Sequence, residues 1–174
     1  MRPTPTVANR IVFALSLFGG AISAYLTLAH MNYLALTCGE IPGCAEVAAH
    51  PTAHGFGIHG LEYIPTAAFG LAMFGAMALL SFVRAAMPES VHAAMARIAQ
   101  RAMAAAAVLV SAYLTYLEAA VIRAWCQWCV MTAVTTVLVL IALFAERPIP
   151  AGAAPDGPVV RATPEPAPQR DTAP

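Results

Sequence analysis

The segment WCQWCVMTAVTTVLVLIALFA, residues 125–145, joins a pair of cysteines to an unbroken apolar run. The run from Gln127 to Ala145 has the roughly 20 residues that a helix needs to cross the hydrocarbon core of a bilayer. In such a helix Cys126 lies in the first turn and Cys129 one turn deeper, on nearly the same face. The segment therefore predicts a membrane-spanning helix with two cysteines at or just inside the membrane interface.

The spacing of Cys126 and Cys129 suits redox chemistry. The free N–H groups and the positive dipole end of a helix start favour a thiolate, so we expect the thiol pKa to fall and a nucleophile to be available near neutral pH. A zinc site needs about four ligands, commonly from two such pairs. The other cysteines, Cys38 and Cys44, have a different spacing. A redox pair is therefore favoured over a structural metal site or an inert buried pair.

The composition predicts an integral membrane protein. Of the 174 residues, 60% are hydrophobic and only 10% are charged, against about 25% charged in soluble domains. The formal net charge is zero, so no basic field argues for a nucleic-acid partner.

Three further apolar runs precede the segment. We expect spans over 11–36, 63–83 with Pro65 in its first turn, and 102–122, with a brief amphipathic helix in the connection 85–101. Residues 1–10 are a polar lead, interpreted as part of an anchor rather than a cleaved signal. Residues 146–174 are rich in Pro and Ala and are predicted to be disordered. The predicted fold is an all-α, four-transmembrane-helix bundle over 11–145.

The loop between the first two spans carries the second pair of cysteines. Pro and two Gly between Cys38 and Cys44 permit the turn that a small disulfide ring requires, and a short helix is expected over 44–49. A second redox pair is the favoured interpretation. The alternative is a metal site formed with the loop histidines, which are His50, His54 and His59.

The arginines predict the orientation. All but one of those that flank the spans fall on one side, which the positive-inside rule makes cytoplasmic; they are Arg2, Arg10, Arg84, Arg97, Arg101 and Arg147. Arg123 alone flanks the other side. Both termini are then cytoplasmic, and both cysteine pairs face the periplasm or its equivalent, where disulfides form.

Two dithiol pairs on one face of a membrane indicate an electron relay. A mobile outer pair can exchange with a soluble partner, and a fixed inner pair can pass electrons onward. No dinucleotide, haem or iron–sulfur motif is present, and Cys129 lies where a membrane quinone can reach. Phe69, Phe74 and Trp128 are candidates for a ring pocket or for ordinary packing. Glu118 is interpreted as an interfacial anchor, with a proton carrier near the cysteine pair as the alternative.

The order of these motifs resembles the bacterial form of the vitamin K epoxide reductase (VKOR) family over roughly residues 10–145. The resemblance rests on the loop cysteines followed by Val47 and Gly55-Phe56-Gly57, a span starting near Pro65, Tyr113-Leu114-Thr115-Tyr116-Leu117, and the cysteine pair opening the last span. It implies a four-helix bundle around a quinone, either ubiquinone or menaquinone. Cys129 would reduce the quinone, Cys126 would exchange with Cys44, and Cys38 would exchange with a periplasmic thioredoxin-like (DsbA-like) partner in a bacterial inner membrane.

The sequence also departs from the family pattern. His50 stands where many members have Ser or Thr, and Thr66 and Ala133 stand where vertebrate members have Asn and Tyr. Epoxide reduction is therefore not expected, and the quinone contacts taken as candidates are Phe69, Thr66, Trp128 and His50. The tail after Arg147 is not a fused thioredoxin-like domain, so the partner is expected to be a separate protein.

Two rival functions remain at the level of sequence. A DsbB-type oxidoreductase also has four spans and two cysteine pairs, but its C-x-x-C lies in the first outer loop. A metal-ion carrier would use the cysteines and histidines as ligands, and no metal site is predicted for the relay.

Overall fold

The computed structural model describes residues 5–39, 43–88 and 90–146 as a helical bundle. The elements in chain order are α1 (Pro5–His30), α2 (Cys44–Ala49), 3₁₀ helices at Pro51–Ala53 and Gly55–Gly57, α3 (Thr66–Ala86), α4 (Val91–Tyr116), a π-helix (Leu117–Ile122) and α5 (Gln127–Ala145). Four helical segments are long and apolar enough to cross a membrane, which confirms the predicted four-span bundle and its short loop helix. The tail predicted to be disordered lies outside the described residues from 147 onward.

The first helix is displaced along the chain relative to the apolar run that predicted it. α1 begins at Pro5, within the predicted polar lead, where proline is tolerated because the first helical N–H groups have no partner. It ends at His30, and Asn32 follows with a φ of 60°. This left-handed turn stops the helix although the following residues remain apolar.

The third span and the connection before it form one continuous helix. The Ser90 hydroxyl accepts a hydrogen bond from the Ala93 N–H and caps α4, as serine does at helix starts. Helical structure then runs to Ile122, so the separate amphipathic helix expected over 85–101 was wrong. Arg97 and Arg101 therefore lie on the first turns of a long spanning helix.

Close contact between α1 and α3 depends on a glycine. A Cβ atom at Gly19 would overlap the ring of Phe74, which is 1% exposed. Gly19 thus permits close helix packing at this position. The apolar core lies deeper in the bundle and comprises Val12, Met77, Ala104, Val139, Ala142 and Leu143.

One end of the bundle is closed by a buried network that we call the polar clamp: Asn9, Ser81, Arg84, Gln100 and Glu146. Gln100, which is fully buried, donates to the Ser81 hydroxyl at 2.8 Å and accepts from Arg84 at 2.8 Å. Arg84 also forms an ion pair with Glu146, and the Asn9 amide donates to the Ser81 carbonyl at 2.8 Å. These bonds offset the cost of burying polar groups and join all four spans, while Asn9 Oδ1 and Glu146 Oε2 have no partner among the described residues.

Candidate redox site

All four cysteines lie at the end of the bundle opposite the polar clamp. Cys38 is exposed, Cys44 and Cys126 are buried, and Cys129 is half-buried. The Cys44 thiol lies beside the thiols of Cys38 and Cys126, and Cys126 lies beside Cys129, each pair close enough for one thiol to shift the pKa of the other. The fold thus brings together every cysteine predicted as a site residue, in an unbroken series from the surface inward.

Gly43 brings the two cysteine pairs together. Its φ of 115° lies in the region that favours glycine, and a Cβ atom there would lie 2.9 Å from the Trp125 carbonyl oxygen. The loop backbone therefore rests directly on the turn before α5. As a result Cys44, the next residue, meets Cys126 across this contact.

Cys126 precedes α5 rather than lying in its first turn. It occupies the N-cap position with an extended backbone and makes no regular capping hydrogen bond through its side chain. The hydrogen bond from the Cys129 thiol is the largest cause that lowers the pKa of Cys126, which falls to about 6; the backbone N–H groups of Cys129 and Trp128 lower it further, against the effect of burial. The predicted lowering is confirmed, with a neighbouring thiol rather than the helix start as its main cause.

Cys44 has the opposite electrostatic environment. Burial raises its pKa to about 12, and the neighbouring thiols of Cys38 and Cys126 add to that rise. Near neutral pH, Cys126 is therefore a thiolate and Cys44 a thiol in the fully reduced protein. Cys44 and Cys126 are suited to thiol–disulfide exchange in which Cys126 is the better leaving sulfur.

Glu118 lies beneath the cysteine pair, at the start of the π-helix. Its side chain is only 4% exposed, one carboxyl oxygen accepts the backbone N–H of Cys126 at 3.2 Å, and the carboxyl is in contact with the Cys129 thiol. The interfacial-anchor interpretation was therefore wrong. No sequence signal distinguished it, because the change from α- to π-helical winding that turns the side chain inward is not visible in the residue types.

A cavity of about 400 Å³ opens beside the sulfurs, within the range of small-molecule sites. Cys126, Cys129 and Glu118 contribute to one wall, and Phe69 and Thr66, two of the predicted quinone contacts, to another. The lining is otherwise mostly apolar and comes from all four spans and the loop. A flat lipid-soluble ring fits such a space by size and polarity.

His30 is a cavity residue that sequence reasoning missed. Its Nδ1 lies 2.7 Å from the Leu26 carbonyl, so this nitrogen carries the proton. Its Nε2 is buried and has no partner among the described residues. An orphaned buried acceptor in a cavity wall is the kind of group that a ligand hydroxyl can satisfy.

The loop forms a cover over the cavity and is fastened to α3 by Thr66. The Thr66 hydroxyl donates to the Thr52 carbonyl at 2.6 Å and accepts the Phe56 N–H at 3.1 Å. The Phe56 ring stacks on Phe69 with 5.2 Å between centroids, and Phe56 has an unusual φ of 57°. Thr66 thus holds the cover as well as lining the cavity.

The other two predicted quinone contacts lie elsewhere. Trp128 packs on Tyr25 with 5.0 Å between ring centroids and donates its indole N–H to the Thr37 carbonyl at 2.9 Å. His50 caps a 3₁₀ helix, and its Nδ1 lies 2.8 Å from the Thr52 hydroxyl. Neither residue belongs to the described cavity wall.

The loop histidines are dispersed. His54 packs edge-on against His30, with 5.6 Å between ring centroids, and the exposed His59 Nδ1 lies 2.9 Å from a carboxyl oxygen of Glu62. Within residues 5–39, 43–88 and 90–146, no group of three or more His, Cys, Asp or Glu side chains is arranged to hold a metal ion.

Comparison with known proteins identifies the family. The model of the vitamin K epoxide reductase family matches residues 10–144, which include the four spans almost completely, the loop and all four cysteines. Comparison with curated proteins gives no significant match. Since the matched region is well over half of the chain, this multi-pass membrane protein belongs to the vitamin K epoxide reductase family.

Proposed function

We propose that the protein is a membrane thiol–quinone oxidoreductase that reoxidises a separate periplasmic thioredoxin-like protein and so supports disulfide formation. Membership of the family makes it a membrane redox enzyme of the disulfide-forming kind, in a family of quinone-linked enzymes. The observation that carries the proposal is the continuous contact from exposed Cys38 to Cys129 in the cavity wall.

The outer half of the reaction takes place on the loop. A thiolate of the partner attacks the Cys38 sulfur of a Cys38–Cys44 disulfide, and the second partner thiol resolves the mixed disulfide. The partner is thereby oxidised, and Cys38 and Cys44 become a dithiol. Exposure of Cys38 and burial of Cys44 support Cys38 as the sulfur that meets a protein partner.

The inner half passes two electrons to the second pair. Cys44 attacks the Cys126 sulfur of a Cys126–Cys129 disulfide, which releases Cys129. Cys38 then attacks Cys44, which releases Cys126 and restores the outer disulfide. The low pKa of Cys126 supports this second step, because a stable thiolate is the better leaving group.

The cavity holds the electron acceptor. A bound quinone would accept two electrons and two protons. The loss of the two electrons would return Cys126 and Cys129 to the disulfide. Phe69 offers a flat apolar surface, and the unpartnered Nε2 of His30 can accept a hydrogen bond from a hydroxyl of the reduced ring. Trp128 and His50 lie outside the cavity wall. We propose that they support the loop and do not contact the quinone.

The orientation completes the proposal. The cysteine end faces the periplasm and the polar clamp the cytoplasm of a bacterial inner membrane, as the arginine distribution indicates. In spheroplasts treated first with a reductant, a membrane-impermeant thiol reagent should label Cys38 without lysis. Labelling that requires lysis would contradict this orientation.

The test uses the protein in liposomes with ubiquinone or menaquinone and a reduced thioredoxin-like donor. We expect one quinone to be reduced for each donor disulfide formed. The ultraviolet absorbance of the quinone measures its reduction. Cys129→Ala should abolish the reaction, whereas Val130→Ala, the next residue and not part of the cavity wall, should leave it near wild type. Equal rates with and without Cys129 would overturn the proposal.

A further inference from the structure

We infer that Glu118 is a catalytic acid and base for Cys129: it gives a proton to the Cys129 sulfur when the inner disulfide opens and takes that proton back when the disulfide re-forms. The inference deepens the proposed function, on which it rests.

The position of the carboxyl carries this inference. It is in contact with the Cys129 thiol, and its Oε2 is also fixed by the Cys126 N–H at 3.2 Å. Both atoms of the inner disulfide bond therefore belong to residues that contact Glu118. A carboxyl aimed at one sulfur by the backbone of the other is oriented for proton transfer at that bond.

The surroundings of Glu118 do not suit a residue that stays charged as an anchor at the membrane interface. Glu118 is 4% exposed, and among residues 5–39, 43–88 and 90–146 it forms no ion pair. The titratable side chain that faces the carboxyl is that of Cys129, whereas Cys126 presents its backbone N–H; the side chains of Cys126, His30 and Cys44 line the same cavity. A buried carboxyl without a cation is the type of group that exchanges a proton during turnover.

The proton and electron changes balance with two reactants: the quinone takes the two electrons, and water supplies the two protons of the reduced quinone. When Cys44 attacks Cys126, the S–S bond electrons pass to the Cys129 sulfur, and a protonated Glu118 supplies the proton that makes Cys129 a neutral thiol. Glu118 is left as a carboxylate. When Cys126 and Cys129 later give up two electrons, the carboxylate accepts the Cys129 proton, which returns Glu118 to the acid form.

The first test omits quinone. Protein with the inner disulfide formed is mixed with a dithiol, and free Cys129 is measured by rapid alkylation and mass mapping. Glu118→Gln keeps an oxygen that accepts the Cys126 N–H but cannot transfer a proton, so we expect Cys129 release to slow about 10²- to 10⁴-fold, the usual contribution of acid–base catalysis. Glu62→Gln is the matched control, because Glu62 is exposed on the loop and should react at the wild-type rate.

A second test separates proton transfer from a structural role. Glu118→Ala removes the carboxyl and leaves space beside the cavity, and added formate should restore part of its rate while leaving Glu118→Gln unchanged. A Glu118→Gln protein that releases Cys129 at the wild-type rate would overturn the inference, even if wild-type protein reduces quinone. If wild-type protein releases Cys129 but does not reduce quinone, the proposed function fails instead.

Discussion

The two ends of the bundle bury different kinds of polar group. In the polar clamp, Gln100 and Arg84 bond several partners at once, and the ion pair with Glu146 holds α3 to the end of α5. At the cysteine end, the polar groups are thiols that lie beside one another in a row.

The difference separates rigidity from reactivity within one apolar bundle. Buried groups that are joined by several hydrogen bonds and an ion pair fix helix positions, because breaking those bonds is costly. Sulfurs in contact can exchange bonds with little movement of the helices that carry them. The clamp end thus keeps the spans in place while bonds are made and broken at the cysteine end.

Replacing Cys129 by Ser should have the largest effect. It should stop the chemistry at the cysteine end and leave the polar clamp intact. Quinone reduction should fall to the rate without protein. Cys126 can then attack Cys44 of the outer disulfide, and the released Cys38 can reverse the attack, so the Cys38–Cys44 and Cys44–Cys126 linkages interchange. Non-reducing peptide mapping after an acid quench should find part of Cys44 linked to Cys126. A variant that retains only the Cys38–Cys44 linkage would contradict the contact between the pairs.

The pH profile of thiol alkylation sharpens the comparison within the cysteine row. In fully reduced protein, Cys126 should react with iodoacetamide at a rate that rises with pH to a midpoint near its pKa of about 6 and then levels off. Cys44, with a pKa of about 12, should stay largely unreacted up to pH 9. Because the Cys129 thiol is the main cause of the lowered pKa, Cys129→Ala should move the Cys126 midpoint upward. An unmoved midpoint would assign the lowering to the helix start instead.

Replacing Arg84 by Met should break the clamp and spare the chemistry. The carboxyl of Glu146 loses its buried partner, and removing one member of a buried pair typically costs about 3 to 5 kcal/mol. Thermal unfolding in detergent should show this loss, whereas Arg97→Met, at a partly exposed position of α4, should change stability by about 0.5 kcal/mol or less. In the fraction of the protein that remains folded, thiol–disulfide exchange among the cysteines should be unchanged. A loss of exchange equal to that of Cys129→Ser would show that the two ends are not independent.

The sequence predicted the four spans, the loop helix and the grouping of the four cysteines at one end of the bundle. These features depend on local patterns of apolar residues and on residue type. It placed helix boundaries less well, because Asn32 and the Ser90 cap act through backbone conformation and single hydrogen bonds. It gave a position of Glu118 near the cysteine pair only as the alternative to an interfacial anchor, because the π-helical turn that carries Glu118 is not visible in the residue types. His30 was missed for a related reason: its role depends on a cavity assembled from all four spans.

Replacing Gly43 by Ala should have the smallest effect and tests how the loop is held against α5. The substitution strains a backbone with a φ of 115° and places a methyl group against the Trp125 carbonyl. Backbone strain of this kind costs about 1 to 3 kcal/mol, or about 5- to 150-fold in an equilibrium. In the Cys129→Ser background, the fraction of Cys44 linked to Cys126 should fall accordingly.

The matched control for Gly43 is Gly60→Ala. Gly60 has a comparable φ of 92°, but a Cβ atom added there would meet no described atom within 4 Å beyond its chain neighbours, so the substitution introduces the strain without the contact. If Gly60→Ala lowers the Cys44–Cys126 linkage as much as Gly43→Ala, general loop strain explains the effect. If only Gly43→Ala lowers it, the contact of the loop with the turn before α5 sets the distance between the two cysteine pairs and so contributes to exchange between Cys44 and Cys126.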